Sequence, residues 1–165
     1  MAAPAITFLT INNGTGTKGT QRFAVAASAT TIKSGDPVIR TLGNTTGNVV
    51  APAATNGPVV GTDYIVGIAA GDSTNTASAA GTVDVYPVNP SDVLLIAPKV
   101  AATWDTTAEY NALVGARVLL DLTSGVYTIL ATDGATSGCV VQPLDISLYP
   151  GKVAFSFRAG VNPLA

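Results

Sequence analysis

A chain of 165 residues with 11% charged side chains, a net charge of −2 and no histidine is poorly equipped to move protons near neutral pH. Cys139 is its one cysteine and Glu109 its one glutamate, so imidazole-dependent triads and zinc sites built on His or several Cys are excluded. The eight Lys and Arg never form a run, which argues against nucleic acid, whose phosphates call for clustered cations.

The length predicts a single domain with a core large enough to fold without disulfide or metal, and no cofactor is expected. The hydrophobic fraction is 47%, much of it alanine, and no apolar stretch approaches a membrane span, so no membrane partner is expected. Met1-Ala2-Ala3-Pro4 lacks the basic and apolar segments of a secretory signal. One unpaired cysteine agrees with a reducing compartment, and assembly in a cytoplasm is the expectation.

In chain order, Ile6, Phe8, Leu9 and Ile11 form an apolar strand followed by the Gly/Thr-rich link Asn12–Gly19. Residues 1–20 therefore read as an extended N-terminal arm and 21–165 as one β-rich domain. The arm pairs either with a partner or, as an ordinary edge strand, with its own sheet. Those four apolar residues are the candidate contact residues.

Further short strands are predicted at Arg22–Ser28, Pro37–Leu42, Tyr64–Ala69, Thr82–Val88 and Val93–Ala97. Arg117–Leu122, Val126–Ala131, Gly138–Gln142 and Val153–Arg158 bring the total to about ten, the spacing of a β-sandwich or β-barrel. Lys33-Ser-Gly-Asp-Pro-Val38 is a tight turn entering a strand, with Gly35 free to take positive φ. Residues 43–62 read as a long surface excursion around the Ala/Pro-rich Val49–Asn56.

One segment reads as helix. Thr106-Thr-Ala-Glu109 is a capping box, and Gly115 supplies the stop about two turns later. Trp104, Tyr110 and Leu113 are expected to hold this helix against the sheet. After it, Arg117–Leu122 and Val126–Leu130 read as a hairpin closed by the three-residue loop Thr123-Ser124-Gly125, with Val118, Leu120 and Leu122 on one apolar face.

Chemical motifs are sparse. Lys18, Lys33, Lys99 and Lys152 are scattered, and Lys33 precedes its turn instead of occupying the hairpin tip that a lipoyl or biotinyl lysine needs. Gly71-Asp-Ser-Thr-Asn75 resembles a calcium loop only loosely, with one carboxylate where several are required.

Four segments taken in order carry a likeness: Ile32–Val38, Tyr64-Ile-Val-Gly-Ile-Ala-Ala-Gly-Asp-Ser-Thr74, Ala80-Gly-Thr-Val-Asp-Val-Tyr-Pro87 and Tyr110-Asn-Ala-Leu-Val-Gly-Ala-Arg-Val118. Together with the ending from Pro143 to Phe157, they resemble the head decoration, or cement, proteins of tailed bacteriophages. The resemblance implies a β-rich homotrimer on the outer capsid surface that clamps neighbouring major capsid proteins, with no catalytic residues. A tail-tube, fibre or pilus subunit and a carbohydrate-binding β-sandwich are the competing readings. The latter is weakened by a complement of ten aromatic residues, several of them in predicted strands.

Overall fold

The computed structural model describes residues 6–10, 19–41, 49–55, 57–131, 134 and 136–161. It is mainly β, with eleven strands among the described residues and one short helix. Each of the ten predicted strands has a counterpart, shifted by a few residues at its ends.

β1 (Thr7–Thr10) belongs to a six-stranded sheet with β7 (Val93–Ile96), β8 (Arg117–Thr123), β9 (Val126–Leu130), β10 (Cys139–Val141) and β11 (Val153–Phe157), in the order β1-β7-β11-β10-β8-β9. The intervening strands β2 (Gln21–Val25), β3 (Pro37–Thr41), β4 (Val49–Pro52), β5 (Asp63–Ala69) and β6 (Gly81–Pro87) close into a barrel, ordered β2-β4-β3-β5-β6. Closure removes the unpaired edges that five such short strands would otherwise present. Its seam is parallel, with Ala24 opposite Val49 and Val25 opposite Val50.

The surface excursion expected over residues 43–62 is corrected over 49–55 and 57–62, while 43–48 and 56 lie outside the described residues. Val49–Pro52 is a barrel strand, with Val50 only 2% exposed. Composition misled because the strand is four residues long and ends in proline, so it lacks the alternation that marks longer strands. Gly57 and Pro58 are buried as well, and Val59 forms a bridge to Ser137. The hairpin loop is also corrected, from three residues to two. Thr123 still pairs with Val126, and Ser124 and Gly125 both take positive φ, at 52° and 76°, the signature of a tight primed turn. Thr123 stays in the ladder, and its hydroxyl donates to Asp121 Oδ2 at 2.7 Å.

The helix α1 (Thr107–Leu113) follows its capping box. Glu109 N–H donates to Thr106 Oγ1 at 3.2 Å, and the Thr106 hydroxyl donates to Glu109 Oε2 at 2.7 Å. Gly115 takes φ 84° where the chain leaves the helix. Tyr110, fully buried, ties α1 to the sheet by donating to the Gln142 carbonyl at 3.0 Å and accepting from Ala154 N–H at 2.9 Å.

Two hydrophobic clusters result from strands buried on both faces. In β3, Val38 joins a small cluster of barrel residues that includes Val50 and Val83, whereas its neighbour Ile39 joins the larger one. Ile65 and Ile68 of β5 join Ile39 there, beside Leu94, Leu120, Phe155 and Phe157 of the six-stranded sheet. The barrel wall and the second sheet therefore share one core.

The second sheet also turns back on itself. Beyond β7, Ile129 N–H donates to the Ala97 carbonyl at 3.0 Å and Lys99 N–H to the Ile129 carbonyl at 2.8 Å. A parallel bridge between Pro98 and Ile129 lies between them, so the tail of β7 covers the outer edge of β9.

Candidate docking surface

The ionisable side chains do structural work. Arg22 meets Asp84 through two bonds, at 2.8 and 2.9 Å, across the β2–β6 pair. That contact holds the Asp84 carboxyl below the usual range. Lys33 Nζ lies 3.0 Å from Asp72, which also accepts from Ser34 N–H at 3.0 Å. The lysine weighed as a carrier site is thus half of an ion pair between two turns.

The loop weighed as a calcium site is likewise a crosslink. Asn75, 3% exposed, donates to the carbonyls of Ser28 and Thr30 at 3.1 Å each and accepts from Ser73 Oγ at 2.6 Å. Ser73 Oγ itself accepts from Ile32 N–H at 2.9 Å. Among the described residues no group of three or more acidic or cysteine side chains is placed to hold a metal ion. Burial pushes the Cys139 thiol and the Tyr127 phenol up, so both stay protonated, with the Tyr127 hydroxyl donating to the Ala53 carbonyl.

The four candidate contact residues divide. Ile6 is 4% exposed and lies in the larger core, while Phe8 and Leu9 are half-buried. Phe8 meets Tyr86 of β6 edge-on at 6.3 Å. Ile11 lies outside the described residues. Over Thr7–Thr10 the expected arm is therefore an edge strand of the chain's own sheet, pairing Thr7 with Leu95 and Phe8 with Leu94. Ile6 is spent inside the chain and is not a free anchor.

A different surface offers exposed apolar side chains. Where the tail of β7 meets the turn before β11, a groove of about 250 Å³ is lined by Pro98, Ala101, Trp104, Ile146 and Pro150, with Asp105 and Lys152 at its polar margin. Val100, next to Ala101, is 50% exposed, and Leu148, between Ile146 and Pro150, is 71% exposed. The Leu148 turn is held in shape. Asp145 Oδ1 accepts from Ser147 Oγ at 2.6 Å and Ser147 N–H at 3.0 Å, and Leu148 N–H donates to the Asp145 carbonyl at 3.1 Å. The Ser147 hydroxyl first, and its N–H second, hold the Asp145 carboxyl low.

Trp104 supplies the groove's lining while being only 4% exposed itself, stacked edge-to-face on Tyr110 at 5.8 Å. It therefore does fill the core, as the sequence suggests, and also shapes the surface above. Sequence reasoning missed this groove because it joins residues 98–105 to residues 146–152, which no local pattern links. The one available signal was Leu148, an apolar residue between Asp145 and Gly151 in a turn.

Comparison with known protein families, with curated proteins and with solved structures finds no match to this chain.

Proposed function

We propose that this chain is a structural virion protein, which binds the outer surface of a bacteriophage capsid and braces it by bridging major capsid proteins. The observation that carries the reading is the groove between Pro98 and Pro150 with Leu148 and Val100 exposed beside it, on a chain that spends charges on the internal pairs Arg22–Asp84, Lys33–Asp72 and Lys99–Asp121. Such a surface is suited to holding and offers little for transforming a substrate. An apolar knob on a preformed turn loses little entropy when it seats, so it contributes efficiently to an interface.

The segments that resemble decoration proteins support the same reading by their placement. Lys33–Val38 is the turn into β3, Tyr64–Ala69 lies in β5, Gly81–Pro87 is β6, and Tyr110–Val118 runs from α1 into β8. They supply barrel strands, the helix α1 and the start of β8. In this role the contact is mechanical. Packaged DNA pushes the shell subunits apart, and a protein engaged with several of them at once slows their separation. As a homotrimer it would present the same groove three times around one axis.

The test is co-sedimentation of the purified protein with undecorated expanded capsids, followed by thermal rupture of the decorated shells. Binding in a fixed ratio with a raised rupture temperature supports the reading. Absence of binding, with rings or filaments of the protein alone under electron microscopy, would transfer it to a tube or fibre subunit.

A further inference from the structure

The N-terminal strand β1 lies at one end of the six-stranded sheet order. We propose that β1 is exchangeable, and that copies of this chain interlock when Ile6–Thr10 of one copy seats on β7 of the next. The inference concerns copies of this chain alone and stands whether or not a capsid is the larger partner.

Three observations carry it. The first is that, among the described residues, β1 pairs only with β7 and its ladder is irregular, with Thr7 opposite Leu95, Phe8 opposite Leu94 and a bulge before Thr10. A cleft of about 240 Å³, lined by Thr7, Phe8, Ser34, Ile68 and Tyr86, separates β1 from the barrel wall. The strand is tied across that cleft by the Ile6 N–H bond to the Gly35 carbonyl, at 3.3 Å, and by the contact of Phe8 with Tyr86.

The second is that the seat cannot stay empty without cost. Ile6 is 4% exposed in the main core, and Phe8 packs against the same cluster. Withdrawing them uncovers Leu94 and Ile68, which are otherwise almost fully buried. The segment seen to fit this seat is the chain's own, and a second copy carries the same segment.

The third is topological. β1 and β7 are far apart in sequence and no hairpin joins them, so seating on another copy breaks no local turn. Residues 11–20 connect β1 to β2 and include Gly14, Gly16 and Gly19; ten residues span up to roughly 33–36 Å when extended. The contacts are the same on one chain or two. What differs is the entropy of closing that link, which changes only slowly with length. When copies are concentrated, a closed ring in which each gives and receives one strand leaves no seat empty.

The double variant Thr7→Cys/Leu95→Cys tests this, because these two residues face each other across the β1–β7 ladder. Cys139 is 0% exposed and stays out of the reaction, as the parent protein oxidised alongside will show. After mild oxidation of concentrated protein, covalent dimers and larger closed species on a non-reducing gel are expected, and their share should rise with protein concentration.

An intramolecular disulfide alone at every concentration would overturn the proposal. Should the double variant fail to fold, the unmodified chain provides the second reading. A strictly monomeric mass by analytical ultracentrifugation at high concentration overturns exchange, while a concentration-dependent oligomer that loses mass when residues 1–10 are removed supports it.

Discussion

Lys99 Nζ lies 2.8 Å from Asp121 Oδ1 and so fastens the tail of β7 to β8, across the strand β9 that it covers. The Lys99 bond first, and the Thr123 hydroxyl second, hold the Asp121 carboxyl below its ordinary value. The Asp121 side chain is 8% exposed and that of Lys99 is 40% exposed, so solvent screens one end of the pair. Replacing Lys99 by Met should cost about 1–2 kcal/mol, read as a lowered midpoint of urea unfolding.

The same pair sets a pH dependence. A carboxyl whose folded value lies below that of the unfolded chain contributes stability above the ordinary value of 3.8, and that contribution is lost as pH falls through the lower folded value. The unfolding midpoints of the parent and of Lys99→Met should therefore converge in acid. A gap that persists undiminished at low pH would show that the pair does not supply it.

Tyr110 takes the place of a ladder hydrogen bond. Gln142 N–H donates to the Ala154 carbonyl at 2.9 Å, but Ala154 N–H donates to the Tyr110 hydroxyl, which in turn donates to the Gln142 carbonyl. Tyr110→Phe leaves a buried N–H without its acceptor, at a cost of about 1–3 kcal/mol. For a chain of this size that is a fall of several degrees in Tm by calorimetry. Burial raises the Tyr110 phenol, so its contribution is present below the unfolded value of 10.0 and is lost as pH rises through the folded one.

Gly67 lets β5 and β6 approach. A Cβ there would sit 2.0 Å from the Tyr86 carbonyl oxygen and 2.7 Å from Val85, a clash with backbone that side-chain rotation cannot relieve. Gly67→Ala should destabilise by about 3 kcal/mol or more and reduce the soluble yield. Gly71→Ala, with open space around its position, serves as the matched control and should be nearly silent.

Leu148→Asp separates stability from binding. The side chain is 71% exposed, so the melting temperature should stay close to that of the parent. Capsid association should weaken at least about tenfold, or about 1.4 kcal/mol, in a co-sedimentation titration. Unchanged association would remove Leu148 from the interface.

The sequence alone was sufficient where a signal is local. Ten strands, the Thr106–Glu109 capping box, the Gly115 stop and the turn at Gly35 follow from period, branching and the φ freedom of glycine, each set by a few adjacent residues. Scarcity of titratable side chains is likewise a property of composition.

What only the tertiary structure decided is which strands meet. Val49–Pro52 becomes a strand because β2 and β3 offer it two edges, and Ile6 becomes core because β7 and the Gly35 turn receive it. The groove beside Leu148 exists because Trp104 and Ile146, 42 positions apart in the chain, line it together. Pairings of that range gain their energy from contacts that no window of sequence contains, so the folded chain alone selects among them.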